Sequence, residues 1–117
     1  MTETQLEVLV KAVKTFGCDN QCDIAIEEMS ELIKAIIKHR RYRTAETLDN
    51  LKEEIADVQI MVRQLQLMYG SVDDIMQSKI VRLDKRIKEF ENESKNKQQS
   101  AYIRSKASVK ARMRERI

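Results

Sequence analysis

Two stretches of this chain, IEEMSEL at Ile26–Leu32 and KEEIADV at Lys52–Val58, repeat one acidic pattern: two glutamates, two spacers, a third acid, an apolar residue. On an α-helix, residues three apart are neighbours, so Glu28 pairs with Glu31 and Glu54 with Asp57. Gathered carboxylates repel one another, and some take up protons unless a positive charge joins them. A hard divalent cation such as Mg²⁺ meets that need. It takes oxygen ligands and keeps positions open for water or phosphate.

The acids stand out because of where helical spacing puts them. At about 100° per residue, Leu51, Ile55, Val58, Val62 and Leu65 share one face, flanked by Met61 and Met68. Glu54 falls inside that arc, Asp57 lies at its edge, and Glu53 points elsewhere. A carboxylate on an apolar face is unfavourable unless paired or metal-bound. In the preceding segment the main apolar face is expected to hold Met29, Leu32, Ile33, Ile36 and Ile37. Glu28 and Glu31 occupy a neighbouring stripe with Ile24 and Ala35. Glu27 lies further round with Lys34 and Lys38, where ion pairs in water suffice.

A short polar link, HRRYRTAE, joins these segments, so they are expected to pack antiparallel. Glu28 and Asp57 are centred on position 42.5, and so are Glu31 and Glu54. A turn at Tyr42/Arg43 therefore sets Glu28 level with Asp57 and Glu31 level with Glu54. A di-iron bundle would want Glu-x-x-His motifs, and the chain has none. An EF-hand needs a Gly-containing loop of 12 residues rather than helix faces. The opposing reading is a solvated, salt-bridged face.

The elements that carry these acids are helical by composition. The 117 residues contain no Pro and two Gly, with frequent Leu, Ile, Lys, Arg, Glu and Gln. Helices are expected over about 3–16, 19–40, 47–69 and from 71 to about 90 or beyond, in an all-α four-helix bundle. Thr2-x-x-Gln5 and Ser71-x-x-Asp74 read as capping boxes, and Gly17 and Gly70 as stops. The fourth helix has Val72, Met76, Leu83, Ile87 and Phe90 on its apolar face. Lys79, Arg82 and Arg86 lie on or beside it, as cations suited to a polyphosphate or to the acids themselves.

No apolar run reaches the roughly 20 residues of a membrane span. The first residues lack a basic n-region and cleavage site, so no signal peptide is expected. Cys18 and Cys22 lack the partners of a structural zinc site. Two thiols without an export signal fit a cytoplasmic protein. Charge divides the chain: 95–117 holds eight cations against Glu115 alone, a net of +7, while 1–94 holds 14 cations and 18 acids, a net of −4. Residues 1–94 are read as the helical domain and 95–117 as a basic, flexible tail, or a loose helix from Ile103 onward.

Taken together, Glu28-Met29-Ser30-Glu31 and Glu54-Ile55-Ala56-Asp57, in the contexts EEMSELIKAI and NLKEEIADVQIMV, resemble the all-α nucleoside triphosphate pyrophosphohydrolases of the MazG-like type. Lys79–Ile87, KIVRLDKRI, is similar to that family's basic third motif. The likeness covers about residues 20–90. It implies Mg²⁺ held by Glu28, Glu31, Glu54 and Asp57. It also implies hydrolysis of a (d)NTP between the α and β phosphates, and homodimers or homotetramers whose sites use more than one chain. Glu27 or one of the four acids would orient or deprotonate the water, and Lys79, Arg82 and Arg86 would meet the phosphates. Lys34 and Lys38 face away from their own cluster and could reach a partner's site. Phe16 is expected in the core rather than against a base. A different class of reading stays open: a non-catalytic helical oligomer whose basic tail binds nucleic acid or an anionic surface.

Overall fold

The computed structural model describes residues 1–115, and Arg116 of the expected basic tail lies outside the described residues. The chain is all-α: α1 Glu3–Phe16, α2 Cys18–Tyr42, α3 Ala45–Tyr69 and α4 Asp73–Glu115, with no strand among the described residues. Among the described residues, no helix is long and apolar enough to cross a membrane.

Local chemistry sets the boundaries. Thr2 caps α1 reciprocally with Gln5: the Gln5 amide donates to Thr2 Oγ1 at 3.1 Å and the Thr2 amide to Gln5 Oε1 at 2.9 Å. Gly17, at φ 88, turns the chain from α1 directly into α2. Gly70, at φ 113, ends α3. Both conformations favour glycine, which has no Cβ to clash. Between α2 and α3 the link is two residues, Arg43 and Thr44, rather than the eight of HRRYRTAE. Arg43 adopts the left-handed conformation, φ 49 and ψ 44, and its amide closes α2 on the His39 carbonyl at 2.8 Å. Thr44 then caps α3 through Thr47. The helices reach into the expected link because its arginines and tyrosine propagate helix as well as they terminate it.

The chain divides into two compact units, Met1–Val72 and Asp73–Ile117 as spans of the sequence. In the first, α2 and α3 form the main antiparallel pair and α1 packs against both. Its α2 seam is Gln21, Ala25, Glu28, Leu32, Ala35 and His39, spaced alternately four and three. The facing α3 seam is Thr47, Leu51, Glu54, Val58, Met61 and Gln64. Every residue of these two rows is buried or half-buried, which is the 3.5-residue repeat of antiparallel helix packing.

This seam corrects the expected faces. Ile33, Ile36 and Ile37 are exposed, and so are Ile55 and Val62, while Ala25, Ala35 and Met61 are buried. Small Ala side chains allow close helix approach, and that selects the Ala/Gln row over the more hydrophobic Ile row. Phe16, expected in the core, is 60% exposed.

The second unit is α4, 43 residues long. Ser94–Ser100 loses apolar periodicity, the basis for expecting a flexible tail, yet helix runs through it. That stretch has no Pro or Gly, and its Lys and Gln residues are good helix formers.

Candidate metal centre

The α2 and α3 seams bring three of the expected acids together. One carboxylate oxygen from each of Glu28, Glu54 and Asp57 lies within 4.8 Å of the other two. Glu28 and Glu54 are half-buried on the seam, and Asp57 is exposed at its rim. The pairing of Glu28 with Asp57 follows the expected register centred on 42.5. A buried hydrogen bond shares that centre: the Gln21 side-chain amide donates to Gln64 Oε1 at 2.6 Å.

Glu31 stands apart from the trio. Its Oε1 accepts from Lys34 Nζ at 3.3 Å, a surface ion pair along α2. It remains close enough for its charge to act on both Glu28 and Glu54. Glu27 is exposed on the next position of α2 and acts on Glu28 in the same way. Lys79, Arg82 and Arg86 are exposed on α4 in the second unit, spaced three and four so that they share one stripe of that helix.

The electrostatics of the trio are those of a site short of positive charge. Burial is the largest cause raising the Glu28 carboxyl above its usual 4.5, followed by the charges of Asp57, Glu54, Glu27 and Glu31. Burial likewise leads for Glu54, followed by Asp57, Glu31 and Glu53. Glu54 Oε2 is closed off from solvent and has no hydrogen-bond partner among the described residues. Native proteins rarely leave a buried carboxylate oxygen so, and such an atom calls for an explanation. Three carboxylates on rigid helices, one with an orphaned oxygen, form an all-oxygen donor set that fits a hard divalent cation.

Three polar contacts near the seam have no sequence signal of the kind that marks the acids. The Gln21–Gln64 bond is one, since isolated glutamines on helices are ordinarily surface residues. The second joins His39 Nδ1 to Thr47 Oγ1 at 2.8 Å beside the α2–α3 turn. The third joins Cys22 Sγ to Tyr69 Oη at 3.3 Å, tying the start of α2 to the end of α3. That bond is the leading cause raising the Tyr69 phenol above its usual value.

No protein-family model, curated protein or solved structure matches the chain.

Proposed function

We propose that the chain is a Mg²⁺-dependent nucleoside triphosphate pyrophosphohydrolase of the all-α, MazG-like type. The single observation that carries this is the Glu28–Glu54–Asp57 group with its orphaned Glu54 oxygen. The doubled acidic motif and the basic KIVRLDKRI segment support it.

The reaction is (d)NTP plus water giving (d)NMP plus pyrophosphate, by breaking the bond between the α phosphorus and the α–β bridging oxygen. A divalent cation bound here would offset charge on the phosphates and acidify a coordinated water. Glu28, Glu54 and Asp57 would hold it, and Glu31, one turn along α2 and in contact with Lys34, would be the fourth acid. Glu27, exposed beside Glu28, orients or deprotonates the attacking water. Lys79, Arg82 and Arg86 on α4 are cations of the kind that bind β and γ phosphates through charge-assisted hydrogen bonds. The chain has no Gly-rich phosphate loop, so side chains and the cation carry the whole triphosphate.

The active species is a homodimer or homotetramer. Among the described residues of one chain the buried apolar ones are Leu9, Ala25, Ala35 and Met61, too small a core for independent stability at this length. Ile26, Ile33 and Ile37 on α2 are 59–66% exposed and form the face that a second copy covers.

The test is pyrophosphate release from a panel of NTPs and dNTPs with and without Mg²⁺, alongside Glu54→Gln. Mg²⁺-dependent pyrophosphate, lost in the variant, supports the reading and names the substrate. Orthophosphate release would assign a different bond, and no release from a folded oligomer would remove the enzymatic reading.

A further inference from the structure

The end of α4 is a continuous basic helix, and the pyrophosphohydrolase reading gives it no role. Lys95, Lys97, Arg104, Lys106, Lys110, Arg112 and Arg114 all lie in it, exposed, and no acid occurs between Glu93 and Glu115. We propose that this part of α4 is a DNA-binding helix that lies in the major groove of a B-form duplex and contacts phosphates on both of its walls.

The cations are distributed all round the helix. At about 100° per residue these seven side chains surround the helix, with no gap between neighbours wider than about 100°. From Lys95 to Arg114 the helix rises about 29 Å. A cylinder about 10–12 Å across with charge all round it matches a groove about 12 Å wide that is flanked by phosphates on either side. Between the cations lie Asn96, Gln98, Gln99, Ser and Ala, together with the exposed side chains of Tyr102, Ile103, Val109 and Met113.

Two other polyanions fit less well. A helix that lies on an anionic membrane segregates its cations opposite a broad apolar face. Here the apolar side chains are interrupted by cations: Lys106 sits over the Tyr102 ring, its Nζ 4.7 Å from the centroid. Duplex RNA has a deep, narrow major groove that excludes a helix. The inference does not depend on the nucleotide chemistry of the acidic site.

The experiment is fluorescence anisotropy of the full chain with a labelled 25-base-pair DNA duplex, the matching RNA duplex and phosphatidylserine vesicles, across salt. Binding to DNA is expected to weaken about 10³-fold between 50 and 200 mM salt, the loss that follows from about six phosphate contacts. The combined variant Lys95→Gln, Lys97→Gln, Arg104→Gln, Lys106→Gln, Lys110→Gln is expected to lose most of that affinity. Circular dichroism checks that its helix is retained. A second variant, Arg104→Lys with Arg112→Lys and Arg114→Lys, keeps charge and helix and is expected to bind within a few-fold of the parent. Tighter binding to vesicles than to DNA, equal binding to RNA and DNA, DNA binding unchanged in the glutamine variant, or no binding to any of the three would overturn the proposal.

Discussion

Glu54 is the residue on which the candidate site turns. Its carboxylate sits on a helix–helix seam, is raised above the usual 4.5 chiefly by burial, and leaves one oxygen without a partner. Glu28, beside it, is raised for the same leading reason. Because both folded-state values lie above the unfolded ones, the folded chain holds more protons just above pH 4.5. The metal-free protein is therefore most stable, in this respect, below that pH, and loses stability as pH rises through the raised values. Thermal melts in EDTA from pH 4.5 upward are expected to show the decline, and Mg²⁺ to reverse it at neutral pH. Glu54→Gln removes one of the repelling charges at nearly constant shape. It is expected to melt no lower than the parent in EDTA, and to lose the Mg²⁺ stabilisation of about 5–10 °C expected near a tenfold excess over Kd. A variant that melts lower in EDTA yet keeps the full Mg²⁺ shift would contradict this role.

At the scale of elements, the α2–α3 hairpin does the positioning, and polar contacts fix its register. Gln21 and Gln64 are 4% and 3% exposed and bonded to each other. Truncating either to Ala strands the other amide, which is expected to destabilise the fold by about 1–3 kcal/mol. Replacing both by Leu is expected to be close to neutral. Urea denaturation of the two single variants and the double variant separates these outcomes. Arg43 carries the left-handed turn between the helices. Arg43→Gly relieves that strain and is expected to raise stability by about 0.5–1 kcal/mol in the same assay.

The sequence made some of this hairpin legible and hid the rest. Acid spacing and the common centre at 42.5 were enough to set Glu28 level with Asp57. The turn was harder to read because an arginine, rather than a glycine, takes the left-handed position. The packing faces were misjudged because hydrophobicity ranks Ile33 and Ile37 above Ala25 and Ala35, whereas close helix approach favours the small residues. The extent of α4 past Phe90 was left open because loss of apolar periodicity at Ser94–Ser100 removes a reason to bury the segment without removing a reason to be helical.

At the scale of the whole molecule, the thin core of the first unit and its exposed isoleucines point to association. Ile33 is 59% exposed in the single chain, so Ile33→Glu disturbs little within it. In an oligomer built on this face the same change buries a charge between chains. Light scattering at micromolar concentration is expected to give a dimer or tetramer for the parent and a monomer of lower melting temperature for the variant. An unchanged oligomer in the variant would move the interface elsewhere.

The most direct test of the central claim, that the α2–α3 acids hold a divalent cation, is calorimetric titration of the full chain with Mg²⁺ just above pH 4.5 in two buffers of different ionisation enthalpy. The raised Glu28 and Glu54 carboxyls must give up protons as the cation enters. The account predicts saturable binding with proton release, and loss of both in Glu54→Gln. Absence of Mg²⁺ binding, or binding that persists unchanged in Glu54→Gln, would contradict it.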